Sequence, residues 1–202
     1  MRIIGVAGGS GSGKTSLVHA ACRELGLDEV SVLELDAYYL GEEQMPKWLE
    51  GNYDHPEALD LNLFREHLGD LMLGNAIEKP VYDFASHQRT GYETFIPKEL
   101  LILEGVLLFA IPGVLSSLTM SVFVACSEKE RLARRLARDR GEERKRSDAD
   151  IKRQFTETVQ PMHELYVEPY RRRANVVIDT STLDKAQAVA KLMDVLSARL
   201  VR

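Results

Sequence analysis

The stretch that most limits how this chain can fold is G-G-S-G-S-G-K-T at residues 8–15, which sits between the apolar run of Ile3, Ile4 and Val6 and an amphipathic stretch ending near Leu25. Gly8, four intervening residues, then Gly13, Lys14 and Thr15 give the spacing G-x-x-x-x-G-K-[ST]. In a strand–loop–helix setting that spacing builds a phosphate-binding loop: glycines let successive backbone N–H groups turn inward, and the helix start adds its positive dipole end. Gly8, Gly9, Ser10, Gly11, Ser12 and Gly13, with Lys14, Thr15 and Ser16 at the helix start, are the expected phosphate contacts. Lys14 reaches the β and γ phosphates as a point charge, and the Thr15 hydroxyl is offered to Mg²⁺.

Strand-like and helix-like segments alternate along the rest of the chain. Val30–Leu35, Leu100–Leu103, Met120–Ala125 and Val176–Ile178 are short apolar strands, while Lys14–Leu25, Leu59–Leu73, Glu128–Arg140, Asp148–Arg173 (interrupted near Pro161) and Leu183–Val201 have helical spacing. Parallel strands need crossover helices, and this order supplies them. The expected fold is a three-layer α/β P-loop NTPase domain spanning 1–202 with a mainly parallel sheet, an insertion at about 37–98 and a lid at about 139–148.

A formal net charge of −5 on 202 residues argues against a general nucleic-acid or membrane binder. Cys22 and Cys126 are too few for a metal site or a disulfide framework, which fits buried free thiols. The glycine-rich loop begins where a signal peptide's apolar region would still be running. The apolar window Leu100–Val114 is short for a membrane span and carries Glu104 and Pro112, so the expected location is the cytoplasm.

A phosphate loop does not say what becomes of the nucleotide. Asp36 closes the second strand in L-E-L-D-A-Y-Y, and strand carboxyl ends in an open parallel sheet face the ligand crevice; a turn or helix-cap role is the competing reading. Glu104 ends the apolar run L-L-I-L-E-G, where an unpaired carboxylate is costly to bury, so a cation or metal is expected beside it. Arg131, Arg134, Arg135 and Arg138 recur at three- and four-residue intervals, which suits either a solvated helix face or an arginine-rich lid over transferring phosphate.

Several further motifs stand in sequence: D-A-Y-Y at 36–39, N-Y-D-H-P-E-A-L-D at 52–60, P-V-Y-D-F-A-S-H-Q-R at 80–89, L-E-G-V-L at 103–107, R-L-A-R-R-L-A-R-D at 131–139, and the Q-F-T-E-T-V-Q-P segment from 154. In order and spacing the set closely resembles the uridine kinase (uridine–cytidine kinase) family, within the larger group that includes phosphoribulokinase, over Ile3 to about Asp179. The resemblance implies a kinase that moves the γ-phosphoryl of ATP or GTP, with Mg²⁺, to the 5′-hydroxyl of uridine or cytidine, and it implies a homotetramer. Asp36 then corresponds to the general base, and Thr15, Glu104 and Asp36 to the Mg²⁺ ligands. Asp54, Arg135 and Gln154 match ribose-gripping positions, Tyr82 and His87 those that read the pyrimidine edge, and Tyr39 and Phe84 its aromatic walls. Arg138, Arg144 and Arg146 are placed toward phosphate. The lid departs from the family's usual R-D-x-x-[ED]-R-G-R: this chain reads R-D-R-G-E-E-R-K-R-S, one residue longer, with Lys145 in place of glycine. Two other readings are a kinase of the same group acting on another nucleoside or a sugar phosphate, and a regulatory ATPase that transfers nothing.

Overall fold

Apolar runs of four to six residues are too short for helices, and five of them form one parallel sheet. The computed structural model describes residues 1–26, 30–140 and 146–200. In chain order the elements are β1 (Arg2–Ala7), α1 (Lys14–Leu25), β2 (Val30–Glu34), α2 (Leu61–Met72), β3 (Ile77–Asp83), β4 (Gln88–Phe95), β5 (Leu100–Gly105), α3 (Val114–Ser117), β6 (Met120–Ala125), α4 (Glu128–Asp139), α5 (Asp148–Gln154), α6 (Gln160–Tyr166), β7 (Val176–Asp179) and α7 (Lys185–Leu200). The large sheet has the order β2-β5-β1-β6-β7, all parallel. Both faces are covered, which is why its strands read as near-continuous apolar runs. Ile4, Val6, Ile102, Val122 and Val124 pack with Val18 and Ala21 of α1 and Leu192 and Leu196 of α7. Leu101, Leu103 and Phe123 point the other way, into a cluster with Phe64, Leu68 and Leu71 of α2. Among the described residues no helix is long and apolar enough to cross a membrane.

Because the strands are parallel, their carboxyl ends share one edge. The register pairs Val6 with Glu104 and Glu104 with Glu34, so Glu104 lies between the strand that feeds the phosphate loop and the strand that precedes Asp36. β2 ends at Glu34, one residue earlier than the sequence suggests, and Leu35–Tyr38 turns into a short 3₁₀ helix that carries Asp36. The turn is possible because Leu35 packs over Gly105: a Cβ on that glycine would lie 2.5 Å from the Leu35 Cβ.

The segment after Asp148 is broken, as Pro161 requires. A wide π turn at Phe155–Val159 separates α5 from α6, with the proline in the first turn of α6, where its missing N–H costs nothing. Strands β3 and β4, which no periodicity in the sequence marks, form an antiparallel hairpin with an irregular register between Val81 and Tyr82. Its strands are mostly exposed or half-buried, so they lack the alternation that marks a strand packed on a core.

Candidate active site

Gly13 takes a left-handed φ of 88° and α1 begins at the next residue, so the loop enters the helix with Lys14 and Thr15 in its first turn. Gly11, at φ 81°, lies against α4: a Cβ there would sit 2.4 Å from the Arg131 carbonyl oxygen, which neither the backbone conformation nor the space permits. A bond from the Ser12 N–H to the Gly9 carbonyl (2.9 Å) closes the loop. Outside it, Arg134 donates from Nη1 to the Ser12 carbonyl and to Thr180 Oγ1 (both 3.0 Å), tying the loop to the turn after β7.

Glu104 is 2% exposed. Its Oε1 accepts from Thr15 Oγ1 at 2.8 Å, and its Oε2 lies 3.6 Å from Lys14 Nζ with no hydrogen bond of its own. Burial works to lower the pKa of the Lys14 ammonium, but the Glu104 and Asp36 carboxylates outweigh it and the net shift is upward, so the lysine stays charged. Thr15, Glu104 and Asp36 offer only hard oxygen, the donor type that Mg²⁺ takes. Among the described residues no group of three or more His, Cys, Asp or Glu forms a metal cage.

Two clefts open at this edge. One runs along the loop past Gly9, Gly11, Gly13, Lys14, Thr15, Ser16 and Glu104. The other is lined by Ser10, Tyr39, Tyr53, Asp54, Tyr82, His87, Arg146 and Gln154. Both are also lined by Lys14, Asp36, Phe84, Arg135 and Arg138, so the clefts meet at one carboxylate flanked by three cations.

The second cleft is aromatic on one side. Tyr39, Tyr82 and Phe84 form a cluster with ring centroids 5.2–6.4 Å apart. His87 stacks on Tyr53 at 4.8 Å and 23°, with its Nδ1 3.5 Å from the Tyr82 hydroxyl. His87 itself has a φ of 53°, an uncommon conformation outside glycine, and its carbonyl accepts from the Glu42 N–H at 3.1 Å. Opposite lie the polar groups. Burial, and then the like charge of Asp36, push the Asp54 carboxyl above the ordinary aspartate range, although Arg135 opposes this. Burial also raises the Tyr39 phenol well above its usual value, with Asp36 and Asp54 adding to it.

The arginine helix α4 buries a stripe of charges at four-residue spacing: Arg131, Arg135 and Asp139. Arg135 donates from Nη1 to Ser10 Oγ (2.9 Å) and from Nη2 to Gln154 Oε1 (2.8 Å). Arg146 donates to the same Gln154 oxygen at 2.6 Å, which puts its side chain with the second cleft's residues and not along the phosphate loop. Arg144 lies outside the described residues. All the other residues matched to phosphate, metal or substrate in the sequence line one or both clefts, except Gly8 and Ser12, while Arg131 of the arginine run is buried and lines neither. Those two stand within the loop, where a Cβ on Gly8 would meet the Val124 carbonyl at 2.4 Å.

The phosphoribulokinase/uridine kinase family model matches residues 3–186. The chain belongs to that family. It is 37% identical to a uridine kinase of Shewanella pealeana over 205 residues, covering 98% of this chain and 94% of that one. It is 40% identical to a uridine kinase of Brevibacillus brevis over 179 residues, covering 87% and 83%. Among solved structures, a candidate fructose transport system kinase of Silicibacter sp. TM1040 superposes with a TM-score of 0.73 at 17% identity, covering 87% of this chain and 88% of that one, a likeness of fold.

Sequence reasoning missed several residues that hold this family's architecture together here. Tyr53, the ring beneath His87, adjoins Asp54 in N-Y-D-H-P and could have been found from that position. Arg89 could not. It donates from Nε to the Tyr39 carbonyl (3.0 Å), from Nη2 to the Tyr38 carbonyl (3.0 Å) and from Nη1 to Asp60 Oδ2 (3.1 Å). One guanidinium thus ties the hairpin bearing Tyr82, Phe84 and His87 to the turn bearing Asp36 and to the cap of α2. Arg89→Met keeps the stem and removes all three bonds. In that variant the amides of 81–92 should exchange with deuterium at least about tenfold faster, as expected for the loss of one to two kcal/mol of local stability, while those of β1, β5 and β6 hold their protection. Unchanged exchange in the hairpin would show that Arg89 does not anchor it.

Proposed function

We propose that the chain is a uridine kinase, transferring the γ-phosphoryl of ATP to the 5′-hydroxyl of uridine or cytidine. The observation that carries this reading is the junction of the two clefts at Asp36, Lys14, Arg135 and Arg138. A carboxylate placed where a phosphate groove meets a second pocket can take a proton from an acceptor hydroxyl as that oxygen attacks phosphorus. The relatives named uridine kinase supply the acceptor class, and the second cleft has the groups it needs. Asp54 accepts and Gln154 both accepts and donates, which suits a ribose diol. Tyr39 and Phe84 give a planar base an aromatic wall, and Tyr82 and His87 reach its polar edge. Arg146 works on this acceptor side.

Along the donor groove the loop amides and Lys14 hold the β and γ phosphates. Arg138, which lines both clefts, faces the charge that spreads over the equatorial oxygens. The donor's base lies in the groove lined by Leu17, Arg134, Thr180, Leu183 and Ala188. Mg²⁺, held by Thr15, Glu104 and Asp36, would neutralise developing phosphate charge. The carboxylate of Glu104 keeps Lys14 and Thr15 aimed at one point, which leaves Asp36 to serve the acceptor.

Asp36→Asn preserves shape and removes proton acceptance. Turnover should fall by about 10²- to 10⁴-fold, the usual contribution of a general base. Calorimetry should show ATP and uridine still binding. Loss of both ligands would make Asp36 structural, and unchanged uridine-dependent turnover would remove it from the chemistry.

Asp54 sets a pH dependence. With its carboxyl raised by burial and by Asp36, it takes up a proton at a higher pH than a free aspartate would. The protonated form accepts the ribose less well, so KM for uridine should rise as pH is lowered toward that value and level off above it. Asp54→Asn should have a high KM at every pH, without the acid limb. The same acid limb in both proteins would assign it to another group.

A further inference from the structure

We propose that Asp139 is a positioning residue, a buried counter-charge that fixes Arg135 and Arg138 at the junction of the two clefts; this rests on the kinase reading of that junction. The residue is out of place by ordinary helix rules. It ends α4, where the carbonyl end of the helix dipole disfavours a carboxylate, and it is 0% exposed. Burying a carboxylate there is costly unless cations meet it.

Two among the described residues do. Asp139 Oδ1 accepts from Arg138 Nε at 2.7 Å, and Oδ2 lies 3.4 Å from Arg135 Nε. Its backbone carbonyl also accepts the Arg146 N–H at 3.2 Å. Asp139 therefore holds Arg138 by a hydrogen bond at Nε and faces the Nε edge of Arg135 as an ion pair. For Arg135 this leaves the outer fork to reach Ser10 and Gln154. Arg138 is left lining both clefts with its side chain 46% exposed.

The counter-charge is needed because Lys14, Arg135 and Arg138 converge on one point. Arg138 works to lower the pKa of Lys14, and it does the same to Arg135. Without an anion behind them the two arginines would be driven apart until substrate arrived, and ordering them would then cost part of the binding energy. Asp139 is enclosed and lines neither cleft, so it acts through the arginines and touches no substrate.

The test uses Asp139→Asn, which keeps the volume and one carbonyl acceptor. Turnover of the full-length protein should fall about tenfold or more, the effect of losing a charge-assisted hydrogen bond at the reacting centre. In an Arg138→Ala background the same change should cost clearly less than in the wild type, because one of the two arginines through which it acts is gone. A structural role instead predicts the same factor in both backgrounds, tracking the loss of folded protein measured by thermal melting, and that outcome would overturn the proposal. A second readout needs no acceptor. In ¹⁵N spectra, the Arg135 and Arg138 Nε–H signals, assigned through Lys variants, should shift in Asp139→Asn. Unchanged signals would overturn the proposal even if the wild-type protein phosphorylates uridine. Shifted signals in a protein that phosphorylates no nucleoside would uphold the arginine anchor while refuting the kinase reading.

Discussion

Glu104 is the constraint on which the rest of the site depends. A carboxylate at the end of a fully buried strand is tolerated only beside compensating groups, and here Lys14 and Thr15 supply them. The compensation is mutual. The strand register sets Glu104 next to the loop-bearing strand, the loop delivers Lys14 and Thr15 in the first turn of α1, and the ion pair keeps the lysine charged despite its burial. The sheet thereby turns a long-range pairing, between residues about a hundred positions apart, into a fixed point for phosphate.

Around that point the chain uses charge where most proteins use apolar side chains. α4 packs on the phosphate loop through Arg131, Arg134 and Arg135, and Arg131 is 1% exposed, with its guanidinium 5.4 Å from the Phe155 ring centroid. It also donates to Gln160. A buried ionic stripe is a poor source of stability in itself. Its value is geometric: Arg131 fixes α4 against the loop, and Arg135 is held by Asp139 while it lines the clefts.

Much of this was legible in the sequence, and for identifiable reasons. The phosphate loop has a fixed spacing between a strand and a helix. Asp36 and Glu104 stand at the ends of apolar runs, where polarity demands a purpose. The hairpin was not legible, since Pro80 and the exposed side chains of β4 erase the alternation of a half-buried strand. Asp139 and Arg89 were hidden for a different reason. Asp139 stands in a charged run that reads as solvated surface, and Arg89 stands among polar residues that do not mark its partners; only the tertiary contacts show that one is enclosed by arginines and the other spans two backbone carbonyls and a helix cap. Arg146, expected toward phosphate as part of an arginine-rich lid, donates to Gln154 in this structure.

The central claim is that the two clefts form one reaction path, so that phosphoryl leaves the donor only when an acceptor hydroxyl stands at Asp36. The stoichiometry of the wild-type protein tests this most directly, with ADP release and UMP formation followed together by ³¹P NMR, with and without uridine. The account predicts one UMP for each ADP and almost no ADP when uridine is absent. ADP released at the same rate without uridine, or with no UMP formed, would contradict it.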